Sequence, residues 1–352
     1  MKVAFVNNYS MEDMYKMCTG KKFPSHHLWG ADLLKDFGIE VEVLSFSRYS
    51  FLKKQVSHRG MFGDLDQQLQ LLLRRDYEAI YSGAQDVTNI LAYLRAFGLF
   101  KKPIVSIIHH PLYMVSKPKR SLNIVKHLRR FYVRGTDRLV CLNQHTKAFL
   151  RCNLGVSDAQ SPVIHWGPDL SFYNVSNQFD SVIVSVGKTF RDYDTFCKAL
   201  RDTKIETRIF SAGTYLPRRP IPTHVHFEKQ YVRYDELLYW YKKALFIAIP
   251  LIETTTLVGL TILLDAMAVG KPVVMTGNPC IDIDIEKEGI GIWVEPGDVM
   301  GWRKAIKYFV DNPNQAKAMG QKGRDLCERA YNIKLFSERL SHIIKETVHS
   351  CS

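Results

Sequence analysis

No apolar run in this sequence is long enough to cross a bilayer. The longest, Ala244–Ile252, is about half the ~20 residues a spanning helix needs and is interrupted by Pro250. A secretory leader is not expected from the opening MKVAFVNNYS, which turns polar at Asn7 and Asn8 and reads as a first buried strand. The seven cysteines, at 18, 141, 152, 197, 280, 327 and 351, contain no CxxC pair, which excludes a disulfide framework and a zinc site of that kind. A reducing, cytoplasmic location is the expectation. Low-complexity tracts and fixed-period repeats are absent, which excludes disorder and solenoids. Acidic residues are the scarcer sign: 35 Asp and Glu against 48 Lys and Arg leave +13, so the partner is expected to be anionic. Phosphate, a membrane surface and nucleic acid all satisfy that.

What is present is alternation. At 352 residues, two domains are expected, and β-rich apolar runs alternate with amphipathic stretches from end to end, the pattern of parallel sheets covered by helices. Early strands are predicted at Val3–Asn7, Val41–Ser45, Ala79–Ser82, Ile104–Ile108, Leu139–Leu142 and Val163–His165, with helices at Leu28–Phe37, Leu65–Arg74, Val87–Phe97, Leu122–Val133 and Thr146–Cys152. Residues 166–180 are rich in Gly, Pro, Asn, Ser and Asp and mark the hinge. A second series follows, with strands at Val182–Val186, Glu206–Phe210, Val225–Phe227, Leu245–Ile249, Pro272–Met275 and Gly291–Val294 and helices near 192–201, 234–243, 260–269, 282–288 and 299–311. The expected division is 1–168, 169–330 and a C-terminal helix at 331–352 returning to the first domain.

The segment from Gly259 to Thr276 carries the most information. It follows a predicted strand, opens a helix with Gly259, Leu260 and Thr261, and closes it with Gly270 before the next strand. Free N–H groups and the positive end of the macrodipole make such a helix start suitable for a diphosphate. Asp265, one and a half to two turns on, is placed to present a carboxylate to a ribose diol. An ordinary βαβ unit with an acidic surface residue accounts for the same pattern.

Asp265-Ala-Met-Ala-Val-Gly-Lys-Pro-Val-Val, followed by Glu295-Pro-Gly-Asp298, resembles the retaining GT-B glycosyltransferases, glycosyltransferase family 4 in particular. That family carries E-x7-E, then AMA-x-G-x-PVV, then PGD after the next strand. The resemblance extends to His165-Trp-Gly167-Pro-Asp169 at the hinge, Val186-Gly187-Lys188 opening the second domain, residues 225–250, and Ile107-Ile-His109 at a strand end. Where the family's first glutamate belongs stands Leu257, with Glu253 the nearest carboxylate, as in the branch that reads G-x-T-x-L-L-E. The usual glycine pair of the first N-terminal loop is replaced by residues 19–30, TGKKFPSHHLWG.

The resemblance implies an α/β chain of GT-B architecture, two Rossmann-like domains facing across a cleft. It implies transfer of a hexose from a nucleoside diphosphate sugar, UDP ahead of GDP, with retention and without a metal. Gly187, Gly259, Leu260, Thr261, Asp265 and Glu253 would bind the donor, and Lys188 and Arg191 would neutralise its diphosphate. His109 would contact the donor sugar or the reacting groups. No cofactor beyond the sugar nucleotide is implied. A nucleotide-sugar 2-epimerase and a sugar-nucleotide-binding protein without catalysis are the alternatives.

Lys188 and Arg191 have a second reading as ordinary surface charges on a turn. A Walker A loop is excluded because the glycine it needs at position 182 is Val182. Asp282-Ile-Asp284 has the spacing of a divalent-cation pair but follows Pro279-Cys280, where aspartates cap a helix, and no metal is assigned to it. Lys117–Arg138 holds eight cations against Asp137 and interleaves them with apolar residues, which suits either an anionic membrane surface or a solvated helix face. Nucleic acid is not expected, since no motif for it accompanies the charge. A saccharide or lipid-linked saccharide is the expected acceptor.

Overall fold

The computed structural model describes residues 1–46, 48–53, 59–110, 112, 122–213, 215, 220–228, 230 and 232–351. The chain divides into two compact units, one formed by Met1–Trp166 with Ile333–Ser352 and the other by Gly167–Asn332.

In the first unit the inner strands are near-continuous buried apolar runs, as expected where helices cover both faces of a sheet, whereas the edge strand at Glu40–Val43 alternates. The elements run β1 (Lys2–Val6), α1 (Met11–Thr19), β2 (Glu40–Val43), the short turns α2 (Ser50–Lys53) and α3 (Arg59–Phe62), α4 (Leu65–Leu73), β3 (Ala79–Ser82), α5 (Asn89–Ala96), β4 (Ile104–Ile108), α6 (Leu122–Gly135), β5 (Arg138–Cys141) and α7 (Gln144–Leu154). All pairings are parallel, in the order β2-β1-β3-β4-β5. Residues from β3, β4 and α5, among them Ile80, Leu91 and Ile104, are fully buried and form the core of the unit.

The second unit contains β6 (Val182–Val186), α8 (Tyr193–Leu200), β7 (Glu206–Phe210), β8 (Val225–Glu228), α9 (Tyr234–Lys243), β9 (Phe246–Ile249), α10 (Leu260–Val269), β10 (Val273–Thr276), β11 (Gly291–Val294), α11 (Val299–Asp311) and α12 (Pro313–Arg329). Its sheet is also parallel, ordered β11-β10-β9-β6-β7-β8. The last helix, α13 (Ile333–Cys351), belongs to the first unit.

Three expectations are corrected and one helix is added. Leu28–Phe37 is not one helix but lies across two 3-10 turns, Ser25–Leu28 and Leu34–Phe37, because Trp29 and Gly30 between them take φ of 54° and 75°. Val163–His165 is a single parallel bridge from Val163 to Cys141. No helix forms at 282–288: residues 285–289 are turns, the Asp284 carboxylate accepting from the Lys287 amide at 3.2 Å. Helix α1 was not anticipated, although Ser10 accepts from the Asp13 amide as its N-cap and the Ser-x-x-Asp pattern was legible. Lys117, Lys119, Arg120 and the side chain of Lys126 lie outside the described residues.

Helices α5 and α6 of the first unit approach closely: a Cβ added at Gly135 would lie 1.7 Å from the Ala92 carbonyl oxygen. Gly135→Ala forces the two helices apart, and overpacking of this kind costs about 1 to 3 kcal/mol. Chemical denaturation of this variant is expected to show a lower midpoint than the parent; an unchanged midpoint would mean the two helices separate freely.

Candidate donor site on the second unit

The order β8-β7-β6-β9-β10-β11 reverses direction between β6 and β9, and parallel sheets bind ligands at the carboxyl ends of strands flanking such a reversal. Two loops leave the sheet there. One follows β6 and carries Gly187, Lys188 and Arg191; the other follows β9 and carries Glu253 before reaching Gly259. They are laced together: the Ile252 amide donates to the Phe190 carbonyl at 3.1 Å, the Asp192 amide to the Pro250 carbonyl at 3.1 Å, and Arg191 and Leu251 form an antiparallel bridge. Groups about 60 residues apart in sequence thus share one sheet edge.

The first loop is a strained turn. Gly187 has φ of 123°, and Phe190, a non-glycine, has φ of 55°. The conformation turns Arg191 back over the turn, where its Nε donates to the Val186 carbonyl at 3.0 Å and its Nη1 to the Thr189 carbonyl at 2.9 Å. Tyr193 closes the turn by donating to the Gly187 carbonyl at 2.6 Å. Burial pulls the pKa of the Arg191 guanidinium down, the direction expected for a cation with little water around it. Lys188 is exposed. Neither cation has a carboxylate partner among the described residues.

The second loop is pinned from β10. Thr276 accepts from the Leu251 amide at 3.0 Å, and the Asn278 amide group donates to the carbonyls of Thr256 and Val258 at 3.0 and 3.1 Å. Glu253 is exposed on this loop. Gly259 then precedes α10 at φ of 87°, a backbone conformation that calls for glycine. No side chain caps α10. Its first amides, Leu260 and Thr261 included, therefore lie at the same sheet edge as the two cations, with no side-chain cap among the described residues.

Asp265 is not the acidic surface residue that an ordinary βαβ unit would carry. It is 3% exposed, and its carboxylate accepts from the Tyr173 hydroxyl at 2.5 Å, with Tyr234 as a second phenol donor. The two phenols lie 2.5 Å apart. Burial raises the carboxyl pKa to about 7, against the lowering effect of both phenols, and the same burial pushes the tyrosines well above their ordinary value. A ribose would have to compete with Tyr173 and Tyr234 for this carboxylate. Sequence reading missed both tyrosines, yet a signal for the burial existed: LTILLDAMAV is apolar all round apart from Thr261 and Asp265, the mark of a helix covered on every side.

His109 belongs to the first unit, at the end of β4. Its Nε2 lies 2.7 Å from the Gly83 carbonyl and so carries the proton, while its amide donates to Gln85 Oε1 at 2.8 Å. Trp29 stands edge-on to the ring, centroids 4.5 Å apart at 89°. Burial lowers the imidazole pKa to about 4, so His109 is neutral at physiological pH and presents Nδ1 as an acceptor. Of the cation-pair candidates, Asp284 is engaged by the Lys287 amide and by Trp293 Nε1 at 3.3 Å.

Residues 31–172 match the family model described as Glycosyltransferase Family 4, and residues 219–326 match that described as Glycosyl transferases group 1. The chain belongs with the GT-B glycosyltransferases. Solved structures share the fold over essentially the whole chain. Sucrose-phosphate synthase from Thermosynechococcus elongatus superposes with a TM-score of 0.71 at 13% identity, covering 100% of both chains. HepE from Anabaena, in complex with UDP-glucose, gives 0.66 at 14% identity over 98% of this chain and 100% of its own. A glycosyltransferase from Rickettsia africae gives 0.66 at 13% identity over 99% and 98%. No curated protein matches this glycosyltransferase by sequence.

The raised pKa of Asp265 has a measurable sign. A carboxyl that holds its proton to about pH 7 in the fold, but titrates near 4 when unfolded, loses folding stability as pH rises through that window. Asp265→Asn removes the titration. The stability of the variant relative to the parent is expected to improve between pH 4 and 7, by roughly 1 kcal/mol or more. Parallel pH profiles in chemical denaturation would show instead that Asp265 is ionised in the fold.

Proposed function

We propose that this glycosyltransferase moves a hexose from a nucleoside diphosphate sugar, UDP ahead of GDP, to a saccharide or lipid-linked saccharide, with retention and without a metal. The carrying observation is the edge at the β6–β9 reversal, where Lys188 and Arg191 have no carboxylate partner among the described residues and α10 begins without a side-chain cap. As the glycosidic bond breaks, the departing diphosphate gains negative charge. Fixed cations and helix amides stabilise that charge without reorganising, which is the role a divalent ion has elsewhere. Like-folded proteins bound to UDP or UDP-glucose support the choice of nucleotide. His109, neutral and oriented by Gly83, is assigned to a hydroxyl of the transferred sugar on the family resemblance. The basic segment Lys117–Arg138 is assigned to an anionic membrane surface, at the cytoplasmic face. Among the described residues no helix is long and apolar enough to cross a membrane.

Replacing Arg191 or Lys188 with Gln is expected to lower donor turnover by about 10² to 10³ fold, and parent turnover is expected to persist in excess EDTA. Loss of activity with chelator and recovery with Mn²⁺ would refute the metal-free reading. Product formed from the donor alone, as an epimerised sugar nucleotide, would refute transfer.

The ribose assignment of Asp265 is tested by pairing a variant with a ligand change. Measured well above pH 7, where the Asp265 carboxyl is ionised, Asp265→Asn is expected to weaken UDP binding by about 10- to 100-fold, in line with charge-assisted hydrogen bonds of about 1.5 to 3 kcal/mol. It should weaken 2′-deoxy-UDP much less. Equal losses in isothermal titration would assign Asp265 to the tyrosine cluster alone.

A further inference from the structure

Large apolar side chains are left in water at one end of the first unit. Helix α5 ends in Phe97-Gly98-Leu99, with Phe97 63% and Leu99 75% exposed. The turn that presents them is well fixed: Gly98 takes φ of 74°, its amide donates to the Arg95 carbonyl, and the Leu99 amide donates to the Leu94 carbonyl, both at 2.9 Å. Phe100 between them and the sheet packs on the core. Leu99 gains nothing from folding at this exposure, so the fold does not account for its being apolar.

The surroundings are cationic. Phe97 packs on Phe131 of α6, ring centroids 4.9 Å apart, which sets the last turns of α6 beside the exposed pair. Arg130 and Arg134 on those turns are exposed, as is Lys101 two residues beyond Leu99. None of the three has a carboxylate partner among the described residues. The acid of this neighbourhood, Asp137, is already engaged by Arg95 at 2.6 Å and by the Ile104 amide at 2.8 Å. Loop 97–103 enters β4 at the amino end of that strand, whereas His109 follows its carboxyl end, so a partner seated on the loop leaves His109 uncovered.

We infer that this edge docks on the anionic surface of a phospholipid bilayer, with Phe97 and Leu99 entering the headgroup region as an apolar anchor and Lys101, Arg130 and Arg134 meeting the lipid phosphates. The inference rests on the anionic-surface reading of the basic segment and adds to it a second, apolar contribution from a different loop. Two signals together give firm peripheral attachment where either alone gives weak attachment. An apolar turn flanked by cations that have no carboxylate partner among the described residues matches an anionic bilayer interface.

The test uses the full chain and vesicles of phosphatidylcholine with or without 30% phosphatidylglycerol. The parent is expected to cosediment with the anionic vesicles and only weakly with the neutral ones. Phe97→Ser with Leu99→Ser, both at exposed positions, should lower the partition coefficient about tenfold or more, with an unchanged thermal transition. In a Leu99→Trp variant, brominated phosphatidylglycerol should quench the new fluorescence. If the double variant binds as the parent does while Arg130→Gln with Arg134→Gln weakens binding, the apolar anchor is refuted and the basic-face reading survives. If the parent binds neither vesicle, both fail. If the double variant instead abolishes self-association seen by analytical ultracentrifugation, the edge is a protein interface and the inference is overturned.

Discussion

Everything proposed for donor binding depends on the parallel pairing of β6 with β9. Three residues of each strand are in register, Ile183–Phe246, Val184–Ile247 and Ser185–Ala248, and the Ser185 hydroxyl donates to the Ala248 carbonyl at 2.7 Å. The two strands are the first and fourth of their sheet, so their connections leave in opposite directions and their carboxyl ends stand next to each other without a covering crossover. That opening lets a turn held in strained φ angles and a glycine-started helix approach the same edge. Shifting the pairing by one residue would invert the faces of β9 and separate Arg191 from the start of α10.

Much of this was legible. Gly259, Gly270 and the apolar run between them predicted α10 and the following strand, because glycine at both ends marks positions of positive φ that few other residues adopt. Alternation gave the parallel sheets. The misreadings share a cause: periodicity registers which residues are apolar but not where the backbone changes hand. Trp29 at φ of 54° splits the expected helix at 28–37, and nothing about a tryptophan announces that conformation. It is held there by contacts distant in sequence, Tyr81 donating to its carbonyl at 2.7 Å and Trp166 stacking on its ring at 4.9 Å. Tyr173 and Tyr234 were missed because periodicity is local, whereas Tyr173 meets Tyr234 across 61 residues and Asp265 across 92.

Asp265 would bear on a diphosphate at the start of α10 through its charge. An ionised carboxylate in the second turn of α10 would oppose the positive end of the helix dipole, and in a buried setting water would screen that opposition little. Burial has instead raised its pKa to about 7, and two phenols supply its hydrogen bonds in either protonation state. Lys271, just past the other end of the helix, shows the converse: burial lowers its pKa to about 7, with Asp180 opposing the shift, and its ammonium lies 3.5 Å from the centroid of the Phe179 ring. A cation after the helix C-terminus favours the dipole, whereas an anion near its N-terminus does not. The protonated form of Asp265 is therefore the one that leaves the amides of Leu260 and Thr261 most attractive to phosphate. An anion arriving there would in turn favour that protonated form, so the same burial that hides Asp265 from the surface couples its proton to the charge at the helix start.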